Sequence, residues 1–186
     1  VSRQRFRLAI ELLPAYPLHV VLEIGYGSGI FIPELAARAQ RVAGIDVHDR
    51  AANVSAALAN AGVAADLTTG RSEALPYADA TFDAVVAVSA LEFVADLDAT
   101  VREMMRVLRP RGRAIVVTPG DHPLLDLALR LATGASASDD FGDRRGRIVR
   151  ALAANARIVA TAAFPRRSPI PVYRAFALER ASDSTA

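Results

Sequence analysis

The chain has 186 residues, 52% hydrophobic and 23% charged, a balance that suits one globular domain over 1–186 and excludes a disordered or fibrous protein. Its net charge is only +2 although the pI is about 9.5, too small an excess to demand a nucleic-acid partner. There is no cysteine, hence no disulfide, thiolate metal site or cysteine nucleophile, and three scattered histidines argue against zinc, so no metal site is expected.

The arginine clusters at Arg3, Arg5 and Arg7, at Arg109, Arg111 and Arg113, and at Arg144, Arg145 and Arg147 carry no interleaved aromatics of the kind that stack on bases, and read as solvated. No apolar run reaches the roughly 18 residues of a membrane span, and the arginine-rich start lacks the apolar stretch of a secretion signal, so a cytoplasmic location is expected.

In chain order, residues 1–17 carry apolar Phe6, Leu8, Ile10, Leu12 and Leu13 and predict a helix packed on the core. His19 to Ile24 is a short apolar run ending at glycines, as a strand buried on both faces should look. Ile30 to Arg38 reads as a helix, with Pro33 in the first turn, where no amide hydrogen is needed.

Arg41 to Asp46 is a second strand, Arg50 to Asn60 an alanine-rich helix, Ala64 to Thr69 a third strand and Phe82 to Ser89 a fourth. Asp98 to Leu108 has apolar Val101, Met104, Met105 and Leu108 at helical spacing, then Arg109 to Gly112 as a turn and Ala114 to Thr118 as a fifth strand.

Beyond Pro119, Leu124 to Leu131 and Gly146 to Ala156 read as helices, with Thr133 to Gly146 a Gly-, Ser- and Asp-rich segment suited to a flexible lid. Arg157 to Ala163 and Val172 to Leu178 read as a closing hairpin around Pro165, Pro169 and Pro171. Alternating strands and helices imply an α/β fold: a Rossmann-like, mostly parallel sheet with helices on both faces and a C-terminal antiparallel pair.

The strongest motif is Val21-Leu22-Glu23-Ile24-Gly25-Tyr26-Gly27-Ser28-Gly29. Glycines after a strand let the backbone turn sharply and approach a ligand closely. A dinucleotide GxGxxG fingerprint would need its third glycine at Ile30; here the pattern is GxGxG, with an acid two residues before it.

This stretch resembles the first motif of class I S-adenosylmethionine (SAM)-dependent methyltransferases. Gly70 to Tyr77, Asp79 to Val86, Ser89 to Val94 and Arg102 to Gly112 extend the resemblance, over about 18–118, to the small-molecule and quinone-type methyltransferase group.

The resemblance implies that Glu23 holds the methionine end of SAM, often through water, and that Gly25, Tyr26, Gly27 and Gly29 form the loop around it. Asp46 would accept hydrogen bonds from the ribose hydroxyls, with Val47 beside it; Arg71 and Ser72 would stand near the adenine and Ser89 at the end of the fourth strand. Arg71 departs from the family, which often has an acid there. The amino-terminal helix would help to cover the site, with Tyr16 and Tyr26 as wall residues, whereas Leu91 and Phe93 read as core.

Methyl transfer from a sulfonium needs alignment in a dry site rather than a metal or a covalent intermediate. A general base, where one is required, is sought at His122 or Glu92, then at His48; His19, at the far end of the first strand, is excluded. The expected partners are SAM, leaving as S-adenosylhomocysteine, and a small-molecule acceptor. An RNA methyltransferase, a nicotinamide-dependent reductase and a non-catalytic relative remain as alternatives, and the sequence is silent on oligomeric state.

Overall fold

The computed structural model describes residues 2–120, 138–166 and 168–181. Helix α1 (Ser2–Leu12) leads into β1 (Leu18–Ile24), α2 (Ile32–Ala36), β2 (Ala39–Asp46), α3 (Ala51–Asn60), β3 (Asp66–Thr69) and β4 (Phe82–Val88). A single 3₁₀ turn (Leu91–Phe93), α4 (Leu97–Val107), β5 (Leu108–Pro119), α5 (Ser138–Asn155), β6 (Arg157–Phe164) and β7 (Tyr173–Glu179) follow.

The seven strands form one sheet in the order β3-β2-β1-β4-β5-β7-β6. The first five are parallel, while β7 runs antiparallel to both β5 and β6. The chain winds outward from β1 through β2 and β3, then returns to β4 on the other side of β1. That reversal opens a crevice at the carboxyl ends of β1 and β4, where ligands bind in open α/β sheets.

Central strands read as unbroken apolar runs because both faces are covered. Along β4, Ala84 and Val86 face a core built with Leu8, Leu12, Leu35 and Leu58 of α1, α2 and α3. The intervening Val85 and Ala87 face Val101 and Met104 of α4 and Ile148 and Leu152 of α5. No described helix is long and apolar enough to cross a membrane.

Three expectations need correction. The Arg109–Gly112 stretch is not a turn outside the sheet. It is an irregular part of β5, where the register jumps from Phe82↔Leu108 to Ala84↔Arg113 and Arg111 takes a φ of 68°. The second helix is shorter than Ile30 to Arg38 suggests. The expected lid segment is helical from Ser138 onward; its residues 133–137, the expected helix 124–131 and His122 lie outside the described residues.

Charged groups pin the ends of these elements. At the amino-terminal edge of the sheet, Asp83 Oδ2 accepts from the amides of His19 and Val20, both at 2.8 Å, and Arg109 donates to Oδ1 at 2.8 Å. Burial opposes ionisation of Asp83, but the Val20 amide, Arg109 and the His19 amide together hold its carboxyl below the usual range. Asp96 caps α4 by accepting from the Ala99 amide at 2.9 Å. Arg180 donates to the carbonyls of Met105, Arg106 and Leu108 at the other end of that helix.

Candidate cofactor site

At the carboxyl edge of β1, β2 and β4 lies a cavity of about 470 Å³. Of the residues the sequence singles out, Gly25, Asp46, Val47, Arg71, Ser72 and Ser89 line it together. Glycine is required at Gly25 on two counts. Its φ is +74°, and a β-carbon there would stand 2.4 Å from Cβ of Ala90, so a side chain would drive β1 and β4 apart. Gly27 has φ +55° with open space where a β-carbon would go, so conformation alone selects glycine there.

Asp46 does more than wait for a ligand. Its Oδ2 accepts from the Gly27 amide at 2.8 Å, while Oδ1 has only a long contact, 3.4 Å, from the His48 amide. One oxygen therefore orders the glycine loop and the other keeps capacity for a hydroxyl donor.

Glu23 closes β1 beneath the loop, 3% exposed, and its Oε2 has no hydrogen-bond partner. Burial pushes its pKa up to about 8, helped by the negative charge of Asp46 and opposed by Arg5. Arg5 is the group that the sequence reading misassigned: it is not a solvated surface arginine. Its Nε is buried without a partner, on the turn of α1 where Phe6 stacks on Phe31 at 4.4 Å, just before α2. Solvation was inferred from the lack of interleaved aromatic residues, which carries no information about where α1 docks.

Two lining residues were missed. Phe93, read as core, is 74% exposed at the cavity rim, whereas Leu91 is buried. The reason is the 3₁₀ turn: at three residues per turn, positions two apart point in different directions, unlike the same-face pairing of a strand. Glu73 also lines the cavity, ion-paired with the exposed Arg71 at 2.8 Å. Burial alone would raise Glu73, but its own amide, Arg71 and the Ala95 amide hold it below the ordinary carboxylate range.

Ser72 turns its hydroxyl toward Thr100 Oγ1 at 3.1 Å, fixing the loop to α4. Ser89 holds an unusual φ of 52°, with its amide donating to the Val117 carbonyl at 2.7 Å and its buried Oγ unpartnered. Tyr26 packs inward on Gly44 instead of forming a cavity wall, and burial raises its phenol pKa. Tyr16 is no wall residue either: its hydroxyl donates to the Arg111 carbonyl near the opposite edge of the sheet.

Among the expected bases, Glu92 is buried and accepts from Thr118 Oγ1 at 2.7 Å. It lines a second groove, of about 490 Å³, between the 3₁₀ turn, the start of α4 and α5. His48 is turned toward the glycine loop, its Nε2 2.8 Å from the Gly27 carbonyl.

The methyltransferase domain family matches residues 22–116, spanning β1 through β5 and every described cavity residue. The chain belongs to this family. It is 37% identical over 120 residues to the demethylmenaquinone methyltransferase of Mycolicibacterium vanbaalenii, covering 62% of this chain and 50% of that protein. To the ubiquinone/menaquinone biosynthesis C-methyltransferase UbiE of Pasteurella multocida it is 35% identical over 114 residues, covering 58% and 42%. The chain thus spans half or less of the length of these relatives.

Among solved structures, a geranyl diphosphate methyltransferase in complex with SAM superposes with a TM-score of 0.72 at 17% identity, over 97% of this chain and 85% of that one. The YcgJ protein of Bacillus subtilis superposes at 0.64 and 20% identity, over 96% and 99%. These likenesses show the class I methyltransferase fold, with its C-terminal antiparallel strand pair.

Proposed function

We propose that the protein binds SAM in this cavity and transfers its methyl group to a small-molecule acceptor. The observation that carries the proposal is the buried carboxyl of Glu23, electrostatically coupled to the half-buried Arg5, at the glycine loop. Glu23 and Arg5 each keep an unpartnered polar atom, and Glu23 immediately precedes Ile24 and Gly25 of a cavity that Asp46 also lines. An adenosyl amino acid offers a matching set: an ammonium for Glu23, a carboxylate for Arg5 and ribose hydroxyls for Asp46. A nicotinamide dinucleotide has no amino-acid end, and Glu23 would stay orphaned, which is costly for a buried polar group.

Val47 and Phe93, 71% and 74% exposed, offer apolar surface on two sides of the cavity for a base, with Glu73 near enough to accept from an exocyclic amine. Gly25, Gly27 and Gly29 keep the loop free of side chains, and Tyr26 supports it from below.

SAM, when bound, would supply a methyl group already activated on a sulfonium, with S-adenosylhomocysteine as the leaving group once the acceptor takes the methyl carbon. The chain's residues then have to orient, shield and, for some acceptors, take a proton. We assign that last task to Glu92, which accepts from Thr118 Oγ1 and lines the second groove. The small-molecule acceptor is supported by the similarity to a demethylmenaquinone methyltransferase and to a ubiquinone/menaquinone biosynthesis C-methyltransferase.

Calorimetric titration with SAM, S-adenosylhomocysteine and NADH tests the proposal. Selective binding of the two adenosyl ligands, weakened at least tenfold by Asp46→Ala and by Arg5→Ala, is the expected result. Binding of NADH instead, or of none of the three, overturns it.

A further inference from the structure

We propose that His48 is a positioning residue that locks the glycine loop in its cofactor-binding shape and thereby sets the affinity for SAM. The inference rests on the cofactor reading above. The hydrogen bonds are specific. The Arg50 amide donates to His48 Nδ1 at 3.2 Å, so Nδ1 carries no hydrogen and the ring proton sits on Nε2. From there it donates to the Gly27 carbonyl at 2.8 Å.

The Gly27 amide meanwhile donates to Asp46 Oδ2, which is 3.8 Å from the same Nε2. Both peptide planes flanking the Gly27 α-carbon are therefore held, one by a carboxylate and one by an imidazole. Since glycine has the widest choice of backbone conformations, this is where an unpinned loop would lose most order. The imidazole is itself fixed: Tyr26 meets it edge-on at 5.0 Å, and Thr69 Oγ1 donates to the His48 carbonyl at 2.9 Å.

The consequence concerns Asp46 as much as the loop. A carboxylate expected to hold ribose needs an oxygen with spare capacity for the hydroxyls, and while Oδ2 stays on Gly27 that oxygen is Oδ1. His48 secures that arrangement by fixing the other side of Gly27, without lining the cavity itself.

The test compares His48→Ala, His48→Gln and His48→Asn with the wild type. Glutamine can place an amide donor where Nε2 stood; asparagine is too short. In the unliganded protein, amide exchange at Gly27 by NMR is expected to quicken about tenfold in the Ala and Asn variants and to return to the wild-type rate with Gln. SAM and S-adenosylhomocysteine affinities, measured by calorimetry, should fall about five- to tenfold and recover in parallel. Unchanged Gly27 exchange in His48→Ala, or equal weakening by Gln and Asn, overturns the role of His48. Wild-type protein that binds no SAM overturns the cofactor reading, while the exchange arm still decides the clamp.

Discussion

Replacing Glu23 by glutamine should make the unliganded protein more stable near pH 8 while weakening its hold on SAM. The native carboxyl titrates at about 8, against an ordinary value of 4.5, because burial and Asp46 disfavour its charge more than Arg5 favours it. Between those two values the folded state holds one proton more than the unfolded state. Unfolding therefore releases a proton, and stability falls as pH rises from about 4.5 to about 8, then levels. At about 1.4 kcal/mol per pH interval the loss is on the order of 3–5 kcal/mol.

Glutamine keeps the shape and removes the titration. Thermal unfolding followed from about pH 5 to about pH 8 should show similar wild-type and variant Tm values at the acidic end. At the alkaline end the variant should lie higher by several degrees, since about 1 kcal/mol shifts Tm by about 2–4 °C in a chain of this size. Curves that stay parallel across the range would refute the reasoning. SAM added near pH 7 should release a proton from wild type but not from the variant, read as calorimetric heats that change with the buffer's ionisation enthalpy.

Gly25→Ala should cost about 2 kcal/mol or more and abolish SAM binding, because its new methyl meets Ala90 at 2.4 Å and its φ is positive; denaturant unfolding and calorimetry measure the two effects. Arg106 donates to Glu103, Asp79 and the carbonyls of Leu75 and Tyr77, tying the loop after β3 to α4. Arg106→Ala should lower stability by roughly 2 kcal/mol and weaken SAM binding, as unfolding and binding curves will show; unchanged affinity would separate that loop from the site. Phe93→Ala should leave Tm within about 1–2 °C of wild type, being mostly exposed, yet raise the Kd for SAM several-fold.

The glycine loop, the strand before it and Asp46 were legible in the sequence because their chemistry is local. A buried strand needs a continuous apolar run, a sharp turn needs glycine, and an acid closing the next parallel strand falls beside that turn through the β1–β2 register, which pairs Ile24 with Ile45. The same locality explains the errors. Arg109 to Gly112 has the composition of a chain break, and only the pairing of Leu108 and Arg113 with β4 on either side of it shows that β5 runs through.

The rest of the site was decided by tertiary packing. Arg5 and Glu23 interact only because α1 docks on the sheet, against β4 to β7, and brings Arg5 near the end of β1. Glu73 enters the cavity because α4 holds the loop after β3, and Phe93 faces outward because one 3₁₀ turn rotates it away from Leu91. Sequence spacing specifies which residues share a turn or a face. Which distant charges are left facing each other without water depends on how the elements dock, and that was settled only when the sheet and its helices came together.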